Sequence, residues 1–231
     1  MMAQYENRLV LFLDILGFKN SISNSAQDTE VFDNIYKAIH DIHTYENKSG
    51  KISSREVTTF SDSIVISYPI HESVLRRIFQ EIRDLILILL EYGFICRGGV
   101  GIGELYHKES VVFGPAMVKA YELESQHAKV PRVIISKDDI TKFNLSWPEW
   151  DLKIDDDGFA YFNIFKFYYS ESGQMMYMSQ FIKDKLEEII SVNINNPDQG
   201  IRNKYLWLSN KFKEGLKKKI YFVPVQENKV R

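Results

Sequence analysis

Residues 9–18 read Leu9-Val10-Leu11-Phe12-Leu13-Asp14-Ile15-Leu16-Gly17-Phe18: five consecutive apolar residues, then a carboxylate, then a turn under a glycine. An unbroken apolar run with β-forming members, rather than an alternating one, predicts a strand buried on both faces, and so a central strand of a sheet. Asp14 then falls at the carboxyl end of that strand. A carboxylate held there is costly to dehydrate unless a cation or hydrogen-bond donors satisfy it. Gly17 permits close approach, and the backbone amides between Asp14 and Phe18 can point toward an anion.

Working outward, Phe32, Ile35, Tyr36, Ile39 and Ile42 recur at helical spacing from Val31 to about Glu46, and Asn47-Lys48-Ser49-Gly50 supplies the stop. Val57–Phe60 and Ile64–Ser67 flank Ser61-Asp62-Ser63, which predicts two strands joined by a tight turn with Asp62 at its tip. A second long helix is expected from His71 to Tyr92, with Val74, Ile78, Ile82, Leu85, Ile86 and Leu89 on one face, Glu81 elsewhere, and Gly93 ending it. Phe94–Gly103 and Val111–Phe113 read as strands, Pro115 can open a helix over Ala116–His127, and Val133–Ile135 makes a further strand. This order predicts a ferredoxin-like α+β fold, an antiparallel-containing sheet with helices packed on one face.

The core so defined covers about residues 8–136, and residues 137–231 read as a C-terminal extension of helices and strands within one domain. In that extension Trp147-Pro148-Glu149-Trp150 suggests a loop or lid, and Lys153-Ile154 and Ala160–Phe167 look like strands around the turn Asp155-Asp156-Asp157-Gly158. Two amphipathic helices are expected near Ser179–Val192 and Gly200–Leu216, parted by Asn195-Asn196-Pro197, and Ile220–Val225 could form an edge strand limited by Pro224.

A formal net charge of -2 gives no global attraction to nucleic acid or anionic lipid, so any polyanion site must be local, which favours a small ligand. The longest apolar stretch away from the amino end, Leu85–Leu90, is far short of the roughly 20 residues a membrane span needs, and the amino end lacks a basic leader. A soluble cytoplasmic protein is expected, with neither nucleic acid nor membrane as partner. The single cysteine, Cys96, fits a reducing compartment and reads as a buried structural thiol.

Asp62 is the natural second carboxylate if the first and second strands are neighbours. Two carboxylates at about 4 Å repel, and a divalent ion between them turns repulsion into binding. Oxygen ligands favour magnesium or manganese, and the lack of clustered His or Cys argues against zinc. Arg97, the one charge within Phe94–Gly103, needs an anionic partner and offers a planar fork suited to phosphate. Other features have plainer readings. Gly98, Gly99, Gly101 and Gly103 form no dinucleotide fingerprint and fit a close-packed strand or a bulge; the five histidines are scattered and expected at the surface or at caps; Asp155–Gly158 is a hairpin turn; Lys217-Lys218-Lys219 is a solvated face.

Four segments in order, Phe12–Phe18, Phe60–Val65, Arg97–Gly103 and Phe113–Ala120, resemble the motifs of the class III adenylate and guanylate cyclases, over roughly residues 8–136. The resemblance implies that Asp14 and Asp62 hold two metal ions, Mn2+ or Mg2+, with the Ile15 carbonyl as an added ligand. It implies that Arg97 grips the triphosphate of a nucleoside triphosphate substrate, with Gly17 and Phe18 lining it, in a head-to-tail homodimer with sites at the interface. Thr58 stands where purine cyclases place a base-reading lysine or glutamate, and Val111 where an aspartate is usual. Val118 and Glu122 replace the transition-state Asn and Arg, with Lys119 and Tyr121 beside them as candidates. This combination is similar to the pyrimidine cyclases of Pycsar antiphage systems, whose diffusible cyclic UMP or cyclic CMP activates a separate effector. A purine cyclase and a catalytically silent nucleotide-binding dimerisation module are the alternatives.

Overall fold

The computed structural model describes residues 4–46, 50–145 and 152–221. Its contacts divide the chain into two compact units, Met1–Ile164 and Phe165–Arg231. The expected loop or lid over Trp147–Trp150 and the end of the expected Ile220–Val225 strand lie outside the described residues.

In the first unit the elements run β1 (Glu6–Ile15), α1 (Phe18–Ser25), α2 (Thr29–Thr44), β2 (Glu56–Phe60), β3 (Ser63–Pro69), α3 (Glu72–Glu91) and β4 (Cys96–Lys108). There follow β5 (Val111–Phe113), α4 (Pro115–Glu122), a π-helical turn over Leu123–His127, β6 (Val133–Ile135), α5 (Lys137–Lys142), β7 (Leu152–Ile154) and β8 (Ala160–Phe162). The strands form one sheet in the order β2-β3-β1-β4-β6-β8-β7, with β5 paired to β4. Every pairing is antiparallel except β4 with β6. The β2-β3-β1-β4 core with α2 and α3 as its two crossovers is the ferredoxin-like α+β arrangement.

β1 is central, antiparallel to β3 on one side and to β4 on the other, and its apolar run is buried on both faces. Leu9, Leu11, Leu13 and Ile15 point one way, into a core with Ile64 and Ile66 of β3, Ile35 and Ile42 of α2, and Ile78, Ile82 and Leu85 of α3. Val10 and Phe12 point the other way, against Val65, Ala116 and Ala120. The two long helices thus share one face, as expected, and α4 takes the other. Each large apolar side chain sealed this way stabilises the fold by roughly 1.5–3 kcal/mol.

The glycines of β4 are what let α4 lie so close. A Cβ at Gly99 would run into the Ala120 carbonyl oxygen and come within 2.6 Å of Leu123 Cβ, and one at Gly101 would strike the Ala116 carbonyl oxygen. The close-packed-strand reading therefore holds for Gly98, Gly99 and Gly101, whereas a Cβ at Gly103, which has φ 151, would meet only Ala116 Cβ at 3.9 Å.

Two charged residues overturn the surface pattern. Glu81, expected off the apolar face of α3, is 1% exposed; Arg55 Nε lies 2.5 Å from its Oε1 and Tyr68 donates to the same oxygen at 2.9 Å. Arg55 also donates to the Ile42 carbonyl at 2.7 Å, so one buried network ties α2, β3 and α3 together. Asp155 and Asp157 both grip Arg132, and Gly158 has φ 88, which makes Asp155–Gly158 the expected hairpin turn between β7 and β8.

The second unit contains β9 (Phe167–Tyr169), α6 (Tyr177–Asn193), α7 (Gln199–Lys217) and β10 (Lys219–Tyr221), with β9 and β10 parallel. The expected strand over Ala160–Phe167 is in fact β8 and the start of β9, since the boundary between units falls at 164/165. Asp198 caps α7 by accepting from the Ile201 amide, and Phe167 packs edge-on against Phe212 at 5.7 Å. Lys217, Lys218 and Lys219 are exposed. Among the described residues no helix is long and apolar enough to cross a membrane.

Candidate functional site

β1 ends beside the tip of the β2–β3 hairpin and the start of β4. In register, Asp14 stands opposite Ser63 on β3 and opposite Arg97 on β4. Beyond the last pair the Ile15 amide donates to the Asp62 carbonyl at 2.9 Å, and the Leu16 amide to the Ile95 carbonyl at 2.9 Å. The two aspartates are thereby fixed at adjoining strand ends. Ser61 holds φ 55 to make the turn, a conformation that few side chains adopt without local support. Strand alternation puts Asp14 and Arg97 on the face that carries Phe12, Gly99 and α4, and Arg97 Nε donates to Asp14 Oδ2 at 2.9 Å.

Glu124 joins this group, a site residue the sequence reading did not assign. It lies in the π turn, where the Ala128 amide bonds back five residues to the Leu123 carbonyl. The residue is 3% exposed, and Oε1 is 2.7 Å from the same Arg97 Nε that serves Asp14. That nitrogen has one hydrogen, and it points at Asp14. Glu124 Oε1 is left buried without a hydrogen bond. Burial raises the Glu124 pKa above the ordinary carboxylate value, Arg97 pulls it back, and the neighbouring Asp14 and Asp62 charges raise it again. Its signal was available: Ala116, Ala120 and Glu124 fall at i, i+4 and i+8, which puts a carboxylate on the stripe that packs against β4.

Asp14, Asp62 and Glu124 outnumber the cationic groups beside them, Arg97 and Lys129, so the strand ends carry negative charge in excess that a divalent cation would offset. Among the described residues no three His, Cys, Asp or Glu side chains converge as a metal cage. Two carboxylates from adjoining strands, with backbone and ligand oxygens completing the shell, is the way magnesium is commonly held beside phosphates. The donor set fits Mg2+ or Mn2+. Gly17, at φ 77, is the N-cap of α1 and offers no side-chain cap, which leaves the first-turn amides of Phe18 and Lys19 without an acceptor from it. The Phe18 ring itself is buried in the α2–α3 core, so its contribution to an anion is its amide.

Other sequence candidates are committed elsewhere. Thr58 Oγ1 donates to the Glu109 carbonyl at 2.9 Å and so can only accept from His107 Nε2, 3.0 Å away. That fixes the His107 tautomer: Nδ1 accepts from Ser67 Oγ at 2.9 Å, which accepts in turn from Arg8 Nε at 2.9 Å. Burial, with Arg8 nearby, pushes the His107 pKa down to about 4. His107 is thus no surface histidine, unlike the exposed His40, His43, His71 and His127. Lys119 Nζ is 2.5 Å from Asp139 Oδ1, an aspartate 2% exposed on α5. Tyr121 packs edge-on against Phe12 at 5.7 Å, close to the site, whereas Val111 lies exposed on β5. Val118 and Glu122 are exposed. Cys96 is buried, and that burial raises its pKa to about 12, as a structural thiol requires.

No protein-family model matches this chain, and no curated protein does. Among solved structures it is similar to an adenylate/guanylate cyclase/hydrolase from Silicibacter pomeroyi, 16% identical, covering 69% of this chain and 95% of that one with a TM-score of 0.40. It is also similar to a class III adenylyl cyclase-like ATP-binding protein from Pseudomonas aeruginosa, 13% identical, covering 92% of this chain and 44% of that one with a TM-score of 0.46. The chain therefore spans less than half the length of the second.

Proposed function

We propose that this chain is a metal-dependent nucleotide cyclase that acts on a pyrimidine nucleoside triphosphate. The observation that carries this is the junction at which Asp14, Asp62 and Arg97 meet: two aspartates locked at adjoining strand ends by the Ile15–Asp62 backbone bond, with a guanidinium 2.9 Å from Asp14. The cyclase motifs noted in the sequence fall on these elements. Asp14 and Asp62, with the Ile15 carbonyl, are the groups that would hold Mg2+ or Mn2+. When bound, such ions lower the pKa of the ribose 3′ hydroxyl and neutralise charge on the phosphates.

Around that chemistry the chain's own residues bind and orient. The 3′ oxygen attacks the α-phosphorus and gives up its proton to solvent water, and the bond to the bridging oxygen breaks so that pyrophosphate leaves with the electron pair. Arg97, released from Asp14, presents a planar fork to the departing phosphates. The α1 amides add a second anion contact. Val118 and Tyr121 on α4, and Val111 and Phe113 on β5, are exposed apolar side chains that a second copy of the chain could cover, and the homodimer belongs to this proposal.

Thr58, a short side chain where a long base-reading one would stand, turns the proposal toward UTP or CTP, and a diffusible cyclic pyrimidine nucleotide toward a separate antiphage effector. The test is to incubate the protein with each of ATP, GTP, CTP and UTP plus manganese and separate the products. Cyclic UMP or cyclic CMP is expected. A cyclic purine product would return the chain to the adenylate/guanylate class, and no product from any of the four would leave a silent nucleotide-binding module.

A further inference from the structure

We propose that Glu124 is a positioning residue: it holds the Arg97 guanidinium in the site when Asp14 is given over to a divalent cation. The inference rests on the cation reading of Asp14 and Asp62 and adds a residue to it. Arg97 Nε lies between two carboxylates, 2.9 Å from Asp14 Oδ2 and 2.7 Å from Glu124 Oε1, and carries a single hydrogen. With that hydrogen on Asp14, Glu124 Oε1 is buried and receives none. A buried carboxylate oxygen so near a cationic nitrogen and yet unbonded is a vacant acceptor aimed at Arg97.

The two acceptors differ in kind. Asp14 is at a strand end, 18% exposed in its side chain, whereas the Glu124 side chain is 4% exposed under the π turn that Gly99 admits. A cation reaching the strand ends meets Asp14 first and competes with Arg97 for it. Without a second anchor the freed guanidinium has two outcomes, both harmful: it stays on Asp14 and repels the cation, or it leaves the site. Glu124 takes the Nε–H at almost no displacement, and Asp14 is released without moving the arginine away. Lys129 is the other cationic group that acts on Glu124, and it is anchored on the Ser125 carbonyl at 2.7 Å.

The test is a double-mutant cycle read as Mn2+ affinity without nucleotide, by the electron paramagnetic signal of free Mn2+, on wild type, Glu124→Gln, Arg97→Ala and the double variant. Glu124→Gln keeps size and fold while removing the charge that draws Arg97 off Asp14, so Mn2+ binding should weaken about tenfold, the scale of one charge-assisted hydrogen bond. In the Arg97→Ala background the same substitution should have little effect, because no guanidinium remains to hold. Glu124→Asp should recover part of the loss. Equal weakening in both backgrounds, or none in either, overturns the positioning role and leaves the cation site standing. No Mn2+ binding by the wild type overturns both.

Discussion

Two arginine–glutamate pairs lie in the same unit and behave as opposites. Arg55 and Glu81 are 1% and 2% exposed in their side chains, and Tyr68 and the Ile42 carbonyl complete the bonding around them. Arg97 is 25% exposed and meets two carboxylates with one Nε hydrogen, so the cluster closes with negative charge in excess and an oxygen without a donor. A closed network fixes the packing of three elements and has nothing left to offer a ligand. An open one is poorly satisfied by its own chain and is completed by something else, which is where perturbed carboxylates gather in functional sites.

This difference can be broken most forcefully at Glu81. Glu81→Ala leaves the Arg55 guanidinium buried without its counter-charge, and urea unfolding should show a loss of about 3–5 kcal/mol. A loss below 1 kcal/mol would mean that the two pairs are alike after all. Next comes the packing that brings Glu124 to Arg97. Gly99→Ala sets a methyl group against the Ala120 carbonyl oxygen and the Glu124 amide, obstacles of backbone, and against Leu123 Cβ, and a cost of about 3 kcal/mol is expected in the same measurement.

A smaller effect tests the Arg8–Ser67–His107–Thr58 chain, a second closed network. The folded-state pKa of His107, about 4, lies below its ordinary value of 6.5, so between those values the unfolded chain binds more protons than the folded one. The contribution is fully present above pH 6.5 and is lost as pH falls toward 4. On the order of 1–2 kcal/mol should disappear over that range. His107→Gln, which keeps a donor toward Thr58 but does not titrate, should flatten the acid limb between pH 4 and 6.5. An unchanged limb would assign the acid sensitivity to other groups.

Much of the fold was legible in the sequence because its long elements carry strong periods. The LVLFL run marked the central strand, and α2, α3, α6 and α7 fell within two or three residues of their expected ends. The eight-residue α1 and six-residue α5 were not anticipated, since so short a stretch shows too little periodicity to separate helix from loop. Asp14, Asp62 and Arg97 could be picked out as charges interrupting apolar or glycine-rich runs. Glu81 and Glu124 escaped for a shared reason. Each lies on a helix face at core-facing spacing, where its charge reads as a surface residue until the arginine that neutralises it, 26 or 27 positions earlier, is known. Thr58 and Lys119 were identified by position in a motif, and no local pattern reveals that their polar atoms are bound to Glu109 and Asp139.

The central claim is that the open cluster is completed by a cation and a nucleotide, and Asp14 is where the claim is most exposed. Removing one charge from a cluster with negative charge in excess relieves repulsion, so Asp14→Asn should unfold in urea at or above the wild-type midpoint. The decisive measurement is pyrophosphate release by Asp14→Asn from the triphosphate that the wild type turns over, with manganese present. The account predicts none above the protein-free blank; release at the wild-type rate would contradict it.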